Sequence, residues 1–168
     1  LRTIENMEIQ ERRENPVDVI ELVASSHEWE FERFCDDEIA VAVIGRCTEY
    51  SVSFSWLEEC EALHLGCAFD FDVPENREVE VLRLLAKINE QLLVGHFDLW
   101  PKENAVMFRH SLLLSGGAEA TSHQAERLLG VALENCERFY QAFHFVVQGG
   151  KTAGEALAWS LFETVGNA

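Results

Sequence analysis

Basic residues are scarce in this chain: thirteen lysines and arginines stand against thirty aspartates and glutamates, a formal net charge of -17 over 168 residues. A field of that sign repels phosphate backbones and anionic headgroups, so neither nucleic acid nor a membrane surface is expected as a partner. Long apolar runs are missing as well. No stretch approaches the roughly 20 residues that a membrane helix needs, and the charged opening LRTIENMEIQERREN has no signal-peptide core. The expected localisation is cytoplasmic. The five cysteines, Cys35, Cys47, Cys60, Cys67 and Cys136, are odd in number, irregularly spaced and free of any Cys-x-x-Cys. That argues against a disulfide framework and a zinc ribbon, and for reduced, mostly buried thiols.

The common catalytic signatures are absent too. No Gly-x-Ser-x-Gly, His-Glu-x-x-His or Gly-x-Gly-x-x-Gly occurs. One stretch, QGGKTAGEALAW (148–159), resembles a phosphate-binding loop at Gly150-Lys151-Thr152. A P-loop, however, needs glycine five residues before the Gly-Lys pair's glycine, so that the backbone can fold around phosphate. Phe145 stands there. The preceding FHFVV (143–147) continues an apolar stripe of Ala125, Leu128, Leu129, Ala132, Cys136, Phe139, Tyr140, Phe143 and Val147, the spacing of one long helix. Gly149 and Gly150 then stop that helix, and Thr152 to Glu155 forms the Thr-x-x-Glu box of the next.

What the chain does have is 48% hydrophobic residues, enough for one sizeable core. We read residues 15–168 as a single domain, preceded by an acidic segment, 1–14, that is either disordered or a partner-binding arm. Asn15-Pro16 opens the first helix, with Val17, Ile20, Val23 and Ala24 on its apolar side. Alternation then marks four strands: around Trp29, Phe31 and Phe34; at Ile39, Val41 and Val43; at Tyr50, Val52, Phe54 and Trp56; and at Leu63, Leu65, Cys67, Phe69 and Phe71. Asp72-Val-Pro-Glu75 is expected to cap a helix with Val79, Leu82, Leu85, Ala86, Asn89, Leu92 and Leu93 along its stripe, ending at Gly95. Two strands near 96–100 and 105–113 follow, then the long helix capped at Thr121, and a last helix from Ala153 toward Val165. The fold class is α+β, an antiparallel sheet with helices packed on it, in the order α-β-β-β-β-α-β-β-α-α.

Candidate chemistry is thin. His64 and Asp70 share a strand face but lie roughly 20 Å apart along it. His96 and Asp98 alternate on one face, and His110 shares parity with Val106, Phe108 and Leu112. Cys60, His64 and Cys67 are misplaced for one tetrahedral ion, and Glu58-Glu59-Cys60-Glu61 reads as a solvated turn. No catalytic, metal or cofactor site is therefore expected. Surplus apolar surface is the more informative feature. Trp100, Trp159 and Phe162 lie off the main stripes, and Ser51, Ser53 and Ser55, with Ala62, Gly66 and Ala68, form a smooth sheet face. Two readings of that face are open: a helix of the same chain covers it, or another chain meets it.

The block FDFDVPENREVEVLRLLAKINEQLLVGHFDLWPKENAVMFRHSLLL (69–114) resembles the YbjN-domain family of bacterial proteins, most specifically in INEQLLVGHFDLW and VMFRHSLLL. The resemblance extends through the element order to about Val147. It implies a type III secretion chaperone-like fold, a small acidic homodimer, a role described as sensory transduction regulation, and no established catalytic residues. The functional expectation is a non-enzymatic, regulatory or chaperone-like homodimer that binds segments of a partner protein through apolar surfaces at Trp100, Trp159, Phe162, Ser51, Ser53 and Ser55. The alternative is a small-molecule sensor or small hydrolase using His96, Asp98 or His110 in a pocket. Since the P-loop pattern lacks its first glycine, millimolar MgATP should leave the melting temperature unmoved in a thermal shift measurement; a clear rise would restore nucleotide binding.

Overall fold

The computed structural model describes residues 13–165, so most of the expected acidic arm, residues 1–12, lies outside the described residues. Asn15 starts the first helix, α1 (Pro16–Ser26): its side-chain oxygen accepts from the Val17 N–H at 2.9 Å, and Pro16 fills the first position. Four strands follow, β1 (Glu30–Cys35), β2 (Glu38–Ile44), β3 (Glu49–Leu57) and β4 (Ala62–Asp72), then helix α2 (Glu78–Asn89). Strands β5 (His96–Trp100) and β6 (Ala105–Leu113) precede the helices α3 (Ser122–Val147) and α4 (Ala153–Val165). One antiparallel sheet runs β1-β2-β3-β4-β6-β5. The α+β class and the element order agree with the sequence reading.

Strand alternation decides which way the sheet faces. One line of partners crosses all six strands through Phe31, Val41, Val52, Cys67, Phe108 and Phe97, and all but the edge residue Phe31 are buried. On this side α1 packs against β1 to β3, α3 against β3, β4 and β6, and α2 against β5. The buried cluster draws on that side alone; Ser51, Ser53, Ser55, Gly66 and Ala68 do not belong to it. Among the described residues, therefore, no helix covers the smooth face.

The long helix α3 is built as its spacing predicts. Thr121 and Gln124 form a reciprocal capping box, and every expected stripe residue is buried except the half-buried Tyr140. Phe145 lies inside the helix, which removes the P-loop geometry. Gly150 takes the left-handed conformation (φ +64°) that ends such a helix, and the Lys151 N–H donates back to the Phe145 carbonyl. Thr152 and Glu155 then exchange the two bonds that open α4.

Three expectations need correction. Asp72 caps nothing: it ends β4, the Val73 N–H is taken by the Asn104 carbonyl at 2.6 Å, and a 3-10 turn, Glu75–Arg77, precedes α2. The core stripe of α2 is Val81, Leu84, Leu85 and Ile88, while Val79, Leu82 and Ala86 face outward. This helix is apolar on two flanks, so periodicity alone admits either phase. Glu61, expected in a solvated turn, is only 6% exposed; it takes φ +46°, and its carbonyl accepts from the Leu114 N–H at the sheet end. Of the five thiols, Cys67 and Cys136 are buried, while Cys35 and Cys60 are exposed.

Asn89, expected on an apolar stripe, instead ties α2 to the sheet edge. Its oxygen accepts from the Phe97 N–H at 2.8 Å and its amide donates to the Phe97 carbonyl at 2.9 Å, as a neighbouring strand would. Asn89→Ala strands both groups and should cost about 1–3 kcal/mol in urea unfolding; Asn89→Asp, which keeps only the acceptor, should fall between.

Candidate functional site

The helix-free face is made of small residues at its centre and charged ones at its rims. Ala40, Ser53 and Gly66 are successive partners across β2, β3 and β4, as are Ala42 and Ser51 beside them. Space at position 66 is tight: a Cβ there would sit 3.1 Å from the Met107 sulfur and 3.3 Å from Ser53 Oγ, which donates to the Gly66 carbonyl, so a side chain would have to push both aside by a few tenths of an ångström. Glu30, Glu32 and Glu38 line the β1–β2 rim, opposite Ala42, Ala40 and Ser55 respectively.

The other rim is organised by Arg109 on β6. Its Nε donates to His64 Nε2 at 3.2 Å, its Nη1 meets Asp98 Oδ2 at 3.1 Å, and its guanidinium lies 5.3 Å from the centre of the Trp100 ring. Strand register explains the meeting, since Arg109 pairs with both Gly66 and His96 and so stands between the two neighbouring strands. Burial, then the Arg109 and His96 charges, hold the His64 imidazole below its usual 6.5. With Nε2 already accepting from a cation, that nitrogen is not free to take a proton from a substrate. His96 and Asp98 do share this face, but His110 lies on the opposite one, half-buried. Asp70 joins none of them: it accepts from Thr48 Oγ1 at 2.8 Å and from the Tyr140 hydroxyl at 2.9 Å, which burial and that carboxylate push up to about 12. Among the described residues no group of histidine, cysteine and carboxylate side chains is arranged to hold a metal ion.

The six residues expected to meet a partner fall on two surfaces. Ser51, Ser53, Ser55 and the half-buried Trp100 belong to the open sheet face. Trp159 (57% exposed) and Phe162 (78% exposed) project from α4, which packs on α3 and α2 in the helical layer. The sequence reading missed Arg109. Its parity with Met107 placed it on the smooth face, but only cross-strand register shows that it gathers His64, Asp98 and Trp100.

Comparison with known proteins identifies the lineage. The profile of the YbjN family, described as "Putative bacterial sensory transduction regulator", matches residues 16–145. The chain belongs to the YbjN family. Among solved structures it is similar to YbjN from E. coli, described as "a putative transcription regulator", at 11% identity and a TM-score of 0.53, over 72% of this chain and 85% of that one. That likeness shows a shared fold. A chain of the ExsC-ExsE complex is also similar, at 18% identity and a TM-score of 0.48, over 74% of this chain and 92% of that one. No curated protein matches the sequence. The YbjN match ends within α3, so α4 with Trp159 and Phe162 lies beyond it. No helix of the described residues is long and apolar enough to cross a membrane.

A histidine depressed in the folded state binds fewer protons there than in the unfolded chain. Stability should therefore be full above 6.5 and decline as pH falls from that value toward the lower folded one. His110, depressed first by burial, adds in the same direction. His64→Gln, which keeps an acceptor for Arg109, should flatten this part of the profile in urea unfolding at stepped pH.

Proposed function

We propose that this YbjN-family protein is a non-enzymatic, cytoplasmic interaction domain that works as a homodimer and holds segments of a partner protein on apolar surface outside its core. One observation carries the reading: the helices gather on one side of the sheet, leaving a small-residue face, with the half-buried Trp100 at its margin, uncovered among the described residues. A face of serines, alanines and glycine admits another chain closely, because no long side chain must be displaced first. The apolar projections of α4 supply a second contact surface, and Trp159 and Phe162 are the side chains with most to gain from burial there. The large negative charge keeps such surfaces soluble and biases the choice of partner.

The sensor or hydrolase alternative has less support. His110 is separated by the sheet from His64, His96 and Asp98, and the last three meet on an open face. Light scattering on a size-exclusion column at tens of micromolar chain should give twice the 19.1 kDa chain mass. Either Ser53→Arg or Phe162→Ser should return it to one chain with an unchanged circular dichroism spectrum. A monomeric wild type, or a dimer indifferent to both changes, would remove the homodimer from the proposal.

A further inference from the structure

At the start of β1, away from the Arg109 cluster, the turn out of α1 opens a cleft of about 520 Å³. Its apolar lining includes Trp29, Val43 and Ile44, and Glu28, Glu30 and Glu49 stand around them. The backbone sets this arrangement. Glu28 takes a left-handed turn (φ +55°), and the Trp29 N–H donates to the Ala24 carbonyl at 3.0 Å, fixing where the indole leaves the helix. His27 stacks on that indole, ring centres 4.4 Å apart, and is itself held by Glu126 at 3.3 Å. Ile44 is 84% exposed, an unusual position for an aliphatic side chain at a strand end.

Among the described residues the charge in this cleft is uncompensated. No ion pair or side-chain hydrogen bond joins Glu28, Glu30 or Glu49 to a described residue. The two arginines of the flanking segments are committed elsewhere, Arg33 to Asp18 and Glu21, and Arg46 to Glu137. An apolar cleft with an aromatic ring and three carboxylates unpaired among the described residues complements one kind of side chain: a long aliphatic stem ending in a cation.

We propose that the cleft receives a lysine or arginine side chain carried on an apolar stretch of a partner protein; this deepens the interaction-domain reading and rests on it. The stem lies along Val43 and Ile44, and the cationic head sits between the carboxylates and the edge of the Trp29 site. The carboxylates gain a counter-charge that no described residue supplies, and Ile44 loses its contact with water.

The test uses the blocked peptide Ac-Leu-Arg-Leu-amide and its glutamine counterpart, titrated into the full chain labelled with nitrogen-15. The arginine peptide should shift the Trp29 indole resonance, assigned through Trp29→Phe, and the amides of residues 42–49, with saturation. The glutamine peptide should not. Glu28→Gln/Glu30→Gln/Glu49→Gln, at solvent-facing positions, should retain its fold by circular dichroism and bind about tenfold more weakly or less. Equal shifts from both peptides, shifts confined to other surfaces, or unchanged affinity in the triple variant would overturn the proposal. So would concentration-dependent shifts of the same resonances without peptide, which mark a second copy as the occupant. If the arginine peptide fails while the two-chain mass persists, only the cleft assignment falls; a monomer that ignores both peptides removes the wider reading as well.

Discussion

Phe97 on the edge strand packs against Phe69, Phe108, Phe139 and Phe143, with ring centres 5.2 to 5.9 Å apart. These contacts join β4, β5 and β6 to α3, and the rest of the molecule is arranged around them. A sheet that is apolar on one side must hide that side, and a 26-residue helix crossing several strands does so with a single element. Because α1, α2 and α3 all serve that burial, the opposite side is left to its own side chains. An uncovered sheet face stays soluble only if its residues are small or charged, and this one is both, small at the centre and charged at the rims.

The same helix also fixes the far end of the sheet. Glu137 accepts from the Cys47 N–H and from Arg46 Nε, both at 3.1 Å, and so bolts the β2–β3 turn to α3. Burial pushes this carboxyl up, but the N–H of Cys47 and the Arg46 guanidinium outweigh it and hold the group below its usual range. The fit leaves no spare volume: a Cβ on Gly45 would lie 2.3 Å from the Glu137 oxygen. Several of the few cations are spent on internal bonds of this kind, Arg33 on α1 and Arg77 on helix ends among them, so the surface field is set by unpaired carboxylates.

Much of the fold was legible in the sequence because one-sided strands alternate strictly and the helix ends carry side chains with a mechanical purpose. Asn15, Thr121 and Thr152 each cap as their neighbours foretell. The first four strands follow one another as a simple meander. That β6 lies between β4 and β5 was not legible, since parity fixes a strand's face and leaves its neighbours undetermined. The phase of α2 was hidden for a related reason: two flanks of that helix are apolar, and what selects Val81 over Val79 is the packing of the helix on β5, α3 and α4. Of the candidate surfaces, the serine face was visible as a pattern. The grouping around Arg109 was not, because its members come from three strands that only register brings side by side.

The guanidinium of Arg77 donates from Nε to the Val146 carbonyl at 2.7 Å and from Nη2 to the Lys151 carbonyl at 2.5 Å. It thus spans the break between α3 and α4 from a third element, while Glu80 of α2 accepts from the Ala153 N–H on the far side of the same break. The paired glycines there would otherwise act as a free swivel. Bridged in this way, the junction behaves as a braced joint: a load applied to the aromatic tip of α4 is carried through Arg77 and Glu80 into α2, and from α2 through Asn89 to the outermost strand.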